Sequence, residues 1–157
     1  NNAQPHMPEL HWRWSRFDQL GVHNLYDALQ LRAKVFILEQ GPYLDPDGAD
    51  SSSWHLLARD EKGELHAYLR VVDPGVKYAE PSIGRVVTSS QRRGTGLGRR
   101  LMEEGVQRCQ QAWPNRGIRI SAQAHLAPFY ATLGFETVGE AYLEDNIPHI
   151  EMLRSAR

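Results

Sequence analysis

The residue types and spacings best suited to chemistry lie between Ser82 and Gly105, in SIGRVVTSSQRRGTGLGRRLMEEG. An apolar run stops at Thr88 and a small polar turn follows. Arg92, Arg93, Arg99 and Arg100 are then interleaved with Gly94, Gly96 and Gly98 before a helical pattern begins. Glycine lets the backbone take positive φ and lets a ligand approach without a Cβ in the way. A helix start offers unpaired N–H groups and a partial charge of about +0.5. Together these make an anion cradle over Gln91 to Gly98, suited to phosphate. Two nucleotide motifs do not fit it. A Walker A loop ends in Gly-Lys-Ser/Thr, which is absent here. The dinucleotide fingerprint needs G-x-G-x-x-G and an acid closing the next strand, whereas the spacing here is Gly94-x-Gly96-x-Gly98 and the strand GIRISAQA carries no acid.

Other chemistry-bearing residues read more blandly. Cys109 shares a helix face with Val106 and Trp113, which predicts a buried structural thiol. DPDGAD suggests calcium, but an EF-hand needs glycine sixth and glutamate twelfth. Here glycine comes fourth and Leu56 twelfth, so a turn or an acceptor-binding loop is preferred. Its three aspartates, Asp45, Asp47 and Asp50, hint at a cationic amine as acceptor. His55 and His66 fall in strand patterns and read as structural, as Trp12 and Trp14 read as packing residues. His149 divides evenly between a core hydrogen bond and a binding site.

The elements that must hold these residues follow from periodicity. LHWRWSR alternates as a strand does. In NLYDALQLRAKVFILEQ, Leu25, Ala28, Leu29, Arg32 and Phe36 fall at helical spacing, with Asn24 as cap. WHLLARD, EKGE and LHAYLRVV read as a hairpin. After the Gly/Arg turn, Leu101, Met102, Gly105, Val106, Cys109, Ala112 and Trp113 form one helix face that Pro114-Asn115 ends. GIRISAQA is a strand, PFYATLG a short helix with Pro128 in its first turn, and FETVGEAYL and PHIEMLR two closing strands. The resulting order, β-α-β-β-β-α-β-α-β-β, predicts an α/β (α+β) domain with a mixed central sheet flanked by helices.

The chain's 157 residues imply one domain with a core of its own. A net charge of −1 argues against a nucleic-acid partner and makes the arginine cluster a local feature. A single cysteine excludes an intramolecular disulfide and a cysteine-based metal cluster; no metal is expected. No apolar run approaches the roughly 20 residues of a membrane span, and no signal-peptide pattern is evident, so a cytoplasmic protein is expected. Residues 1–6, NNAQPH, read as a tag remnant, leaving 7–157 as the domain.

The stretch Gln91-Arg-Arg-Gly94-Thr-Gly96, set between a strand and a helix, resembles the Q/R-x-x-G-x-G/A motif of the GNAT N-acetyltransferases. Further on, HLAPFYATLGFETVG resembles that family's second signature, in which a short helix carries a tyrosine and the chain re-enters the sheet at Gly-Phe. LRAKVFILEQGPYLDPDGAD, IGRVV, AQAHLAPFY and YLEDNIPHIEM resemble the ElaA-like branch. Threonine stands at Thr88 where many members have proline, and Gln123 where many have asparagine.

The resemblance implies the GNAT acyl-CoA N-acyltransferase fold with about seven strands. It implies acetyl-CoA as cofactor, an amine acceptor, small molecule or peptide, and direct transfer in a ternary complex. Backbone N–H groups of Gln91, Arg92, Arg93, Gly94, Thr95, Gly96, Leu97 and Gly98 would take the pyrophosphate. Strand residues through Val86, Val87 and Thr88 would pair with the pantetheine arm, with Gln123 opposite. An N–H near Val86 or Val87 would polarise the thioester carbonyl, a contribution of about 3–4 kcal/mol elsewhere. An alkylamine of pKa near 10.4 is neutral in only about one molecule per thousand at pH 7, so a base is needed. Glu39, Glu144, His125 and His149 are candidates, and Glu39 is favoured by its place over the acceptor side. Tyr130 stands where many members have the acid that protonates the leaving thiolate. Tyr43, His125 and His149 are expected to contact the acceptor. A homodimer is allowed for. The competing reading is a non-catalytic acyl-CoA sensor or interaction module on the same fold; a nucleotide-binding domain is weaker.

Overall fold

The computed structural model describes residues 9–41 and 43–156; the expected tag remnant lies outside the described residues. Its elements are β1 (His11–Arg16), α1 (Phe17–Leu20), α2 (Val22–Arg32), β2 (Ser53–Arg59), β3 (Leu65–Val72), β4 (Ser82–Thr88), α3 (Leu97–Ala112), β5 (Ile118–Gln123), α4 (Ala127–Ala131), β6 (Glu136–Glu144) and β7 (Ile147–Arg154). Seven strands form one sheet in the order β1-β2-β3-β4-β5-β7-β6. Every neighbouring pair is antiparallel except β4 and β5. No described helix is long and apolar enough to cross a membrane.

Both faces of the sheet are covered. Because successive side chains on a strand point to opposite faces, Leu56 and Leu57 enter different cores. Leu56, Leu69, Val71 and Ile83 meet the apolar stripe of α3, where Leu101, Met102, Val106 and Cys109 are buried. Leu57, Tyr68 and Val87 meet Leu20, Ala28 and Leu31 on the α1–α2 side. Gly105 allows α3 to approach closely, since a Cβ there would fall 2.8 Å from Leu69 Cδ2. Burial pushes the Cys109 thiol up to about 12, in line with a structural thiol.

The first long helix differs from its sequence pattern. Gly21, at φ 86, separates α1 from α2. Asn24 is therefore inside the first turn of α2, where its Nδ2 donates to Leu20 O and its Oδ1 accepts from Arg59. The helix changes to a π-helical turn at Ala33–Ile37, before Glu39 and Gln40.

The sheet opens at β4. Tyr68 pairs with Val87 and Arg70 with Gly84, so Leu69 alone on β3 faces Arg85 and Val86 on β4. This β-bulge holds Arg85 at φ 51, uncommon for a residue with a side chain, and bulges bend the strand that carries them. β4 and β5 are registered at Ser82 and Arg119 and then part.

Candidate active site

The splay between β4 and β5 leaves a cleft of about 440 Å³. Gly84, Arg85 and Val86 line one wall and Ile120, Ser121, Ala122 and Gln123 the other; Tyr43, Tyr130, Glu144 and His149 also reach it. Val86 presents its side chain here, whereas Val87 is turned into the opposite core and can offer only main chain.

At the end of β4 the chain is pinned before it turns. Ser89 N–H donates to His66 O at 2.8 Å, and Ser89 Oγ lies 2.8 Å from His66 Nδ1. His66 Nε2 is 2.8 Å from Asp60 Oδ2, a bond that holds the Asp60 carboxyl down at about 2. His66 is thus structural, as expected, and it secures the loop's base. A short 3-10 turn, Ser90–Arg92, leads into Gly94 at φ 78 and Gly96 at φ 83. Leu97 is buried and anchors α3. Arg100 N–H donates to Gly96 O, so the N–H groups of Leu97, Gly98 and Arg99 precede the helical ladder. A Cβ added at Gly94, Gly96 or Gly98 would meet nothing within 4 Å. That open space beside free helix-start donors fits a bound diphosphate. Arg99 lies over the Phe129 ring and Arg100 over Trp12, so these two arginines dress the helix surface.

Tyr130 is 8 % exposed. Pro128 lies in the first turn of its helix, and the rings of Phe129 and Phe135 pack edge-on against it. Burial pushes its hydroxyl up to about 12, so it is protonated at neutral pH. Gln123 lines the cleft and its Nε2 donates to Gln40 Oε1 at 3.1 Å, tying β5 to the segment after the π-helical turn. Tyr43 lines the cleft with its ring while its hydroxyl donates to Asp45. His149 and Glu144 stand together, Nε2 to Oε2 at 3.6 Å. Glu39 is placed elsewhere: it pairs with Arg93 at 2.8 Å and borders a separate depression with Lys34, Ser89 and Gln91. His125 is exposed, outside the cleft lining.

The DPDGAD loop is held by arginines. Arg32, fully buried, donates to Asp45 and Asp50 at 2.9 and 2.7 Å. Arg70 donates to Asp47 and Asp50, and Arg85, on the bulge, to Asp45 and Asp47. The Arg70 hydrogen bond holds the Asp47 carboxyl well below its ordinary range. Burial alone would raise Asp50, but Arg32 and Arg70 outweigh it and hold it down. These carboxylates are therefore committed within the protein, and the sequence hint that they await a cationic acceptor is replaced by an internal role. His55, neutral in its buried position, supports the same loop through Asp50 O at 2.9 Å. Sequence reasoning missed Arg32, Arg70 and Arg85 as a set. A signal existed: two of them occupy positions that helical and strand periodicity assign to the core.

Comparison with known proteins agrees with this geometry. The pattern of the Acetyltransferase (GNAT) domain family matches residues 45–155. Protein ElaA of Escherichia coli is 40% identical over 148 residues, spanning 92% of this chain and 96% of ElaA. A UPF0039 protein of Synechocystis is 44% identical over 146 residues, spanning 92% and 95%. The crystal structure of an acyl-CoA N-acyltransferase from Pseudomonas aeruginosa superposes with a TM-score of 0.89 at 45% identity, over 94% of this chain and all of that one. That of Escherichia coli ElaA superposes with a TM-score of 0.87 at 39% identity, over 94% and 100%. With a glycine-rich helix start, a splayed sheet and relatives that match along almost their full length, the chain belongs to the GNAT acetyltransferase family, alongside ElaA and the UPF0039 proteins.

Proposed function

We propose that the protein transfers the acetyl group of acetyl-CoA to a primary amine, on a small molecule or a peptide, by direct attack within a ternary complex in the cytoplasm. The observation that carries this is one strand and what lies at its two ends. The bulged β4 forms a wall of a cleft that a buried, protonated tyrosine also lines, and it runs on through a short turn into the open, glycine-rich start of α3.

Acetyl-CoA supplies an acetyl group already activated as a thioester. Main-chain donors from Arg93 to Gly98 hold its diphosphate, and positive φ at Gly94 and Gly96 turns them toward it. The bulge releases β4 main chain from its β3 partner near Val86, leaving polar groups for the pantetheine arm and for the carbonyl oxygen as charge develops there. Tyr130 gives its proton to the departing sulfur. A hydroxyl titrating near 12 is still fully protonated at neutral pH, and a thiolate leaving group needs that proton only as the C–S bond breaks.

Acetyl-CoA in large excess over its Kd should raise the melting temperature, with about 4 kcal/mol of stabilisation at a thousandfold excess. Thiol release with an amine panel should then be detectable, and Tyr130→Phe should lower kcat by about a hundredfold or more while acetyl-CoA affinity is kept. Absence of binding sinks the reading. Full activity of Tyr130→Phe removes the tyrosine from it.

A further inference from the structure

The cleft wall formed by β5, β6 and β7 contains a pair of titratable groups that the donor chemistry leaves unused. Asp145 and Asn146, at φ 50 and 64, make the two-residue turn between β6 and β7 and set Glu144 opposite Ile147. His149 follows two residues on and is 8 % exposed. Its Nδ1 lies 2.7 Å from Ile147 O. A carbonyl oxygen can only accept, so Nδ1 carries the hydrogen and the neutral ring keeps its lone pair on Nε2. That nitrogen is 3.6 Å from Glu144 Oε2. The other Glu144 oxygen accepts from Ser121 Oγ at 3.4 Å, and Ser121 Oγ is in turn bonded to the Tyr142 hydroxyl. The Tyr142 ring stacks on the imidazole, with centroids 6.2 Å apart. The ring is thus fixed by a backbone acceptor on one side and a stacked aromatic on its face, with Nε2 beside a carboxylate. Ser121, Glu144 and His149 all line the cleft into which Tyr130 also reaches.

We propose that His149 Nε2 is the base that deprotonates the acceptor and that Glu144 binds the acceptor's ammonium group, which makes the acceptor a strongly basic alkylamine that arrives protonated. The inference rests on the acetyl-transfer reading above. Glu144 attracts the cation and then stabilises the imidazolium that forms. The nitrogen lone pair freed by Nε2 makes the new C–N bond, after which the C–S bond breaks. Of the two protons the nitrogen sheds in passing from ammonium to amide, Nε2 passes one to solvent past the half-exposed Glu144. The other leaves the nitrogen as the tetrahedral adduct collapses and returns through water in the cleft to the Tyr130 oxygen, which has given its own proton to sulfur. Asp145, in the turn, and Lys77 also line the cleft, and Glu151, in register with Ser121, is paired with Arg119. The arginines there, Arg70 and Arg85, are already paired with aspartates.

Three measurements on the full chain separate this from a structural role. With CoA bound, calorimetric titration of an alkylamine that the wild type acetylates should give about tenfold weaker binding for Glu144→Gln and little change for His149→Ala. In turnover, His149→Ala should lose about a hundredfold in kcat at similar KM, and added imidazole should restore part of it. With trifluoroethylamine, which is largely neutral at neutral pH, the same variant should lose far less. Equal losses with both amines, or no response to imidazole, would overturn the assignment. Retained acetyl-CoA affinity in both variants establishes that they fold. If acetyl-CoA binds but no alkylamine or lysine-containing peptide is acetylated, the base and acceptor assignments fail while cofactor binding stands. If acetyl-CoA does not bind, the parent reading fails.

Discussion

The two regions proposed for donor and acceptor are built by different means. The proposed donor region is main chain. A bulge in β4, two left-handed glycines and a helix start are contiguous in sequence, and their working groups are N–H donors that every residue carries. The proposed acceptor region is side chain. Its loop is held by Arg32, Arg70 and Arg85 from three separate elements, and its polar wall comes from β5, β6 and β7. A main-chain site depends on conformation and tolerates substitution of what points outward. A side-chain site depends on each partner being present, because removing one leaves a buried charge short of a partner.

The sharpest way to break this contrast is at Arg32. Its guanidinium is fully buried, and its partners Asp45 and Asp50 are nearly so. Arg32→Met should cost about 3–5 kcal/mol, read by urea unfolding, because two carboxylates lose their shared cation. At temperatures where the variant is still folded, acceptor KM should rise while acetyl-CoA affinity stays near wild type. A parallel loss of acetyl-CoA affinity would mean that the two regions are one unit. The wild type should show the same dependence through pH. Asp47 and Asp50 titrate lower when folded than when unfolded. Their stabilisation is therefore complete above the unfolded carboxylate range near pH 4 and is lost as pH falls through the depressed folded values. The melting temperature should drop steeply below about pH 4, and less steeply in Asp47→Asn.

On the donor side the matching substitution is Gly96→Ala. The added methyl meets no atom within 4 Å, so the cost to folding is the left-handed backbone alone, about 1–2 kcal/mol. The same methyl occupies the space expected for the diphosphate, so acetyl-CoA should bind at least about tenfold more weakly, or about 1.4 kcal/mol. Acceptor KM should be unchanged. If affinity is retained, the open space beside Gly96 is not where the diphosphate lies.

This contrast also accounts for what the sequence discloses. The seven strands, the mixed sheet and the Gly/Arg junction are readable because each is a local pattern: alternation, a 3.6-residue stripe, a run of glycines before a helix. The arginine–aspartate lattice is not local, since Arg32 reaches Asp45 and Arg85 reaches Asp47 only once the sheet has formed. The same limit applies to the proposed acceptor wall. His149 is legible as a titratable residue in a strand, but its orientation depends on the Ile147 carbonyl and the Tyr142 ring. The bulge at Arg85 had no sequence signal, because the usual marker for a positive φ is glycine, and Gly84 stands one residue away.

The smallest expected effect is at Glu39, where sequence position and geometry point to different roles. Its place after the first helix suggests the acceptor side, and a base there would be an economical choice. In the structure its carboxylate pairs with Arg93, with the two side chains 42% and 45% exposed. Exposed pairs of this kind contribute about 0–1 kcal/mol and weaken with salt. The pair links the segment after the π-helical turn to the Gly/Arg loop, so its structural effect falls on the proposed donor side. Glu39→Gln should therefore change unfolding free energy by less than about 1 kcal/mol, leave kcat near wild type, and alter acetyl-CoA affinity slightly, in a way that high salt removes. A base at Glu39 would give a different result: kcat down by about a hundredfold, at every salt concentration, with acetyl-CoA affinity unchanged. Measuring both constants at low and high salt decides between the two, and a kcat collapse would move the base away from the side-chain wall and back to the segment that touches the Gly/Arg loop.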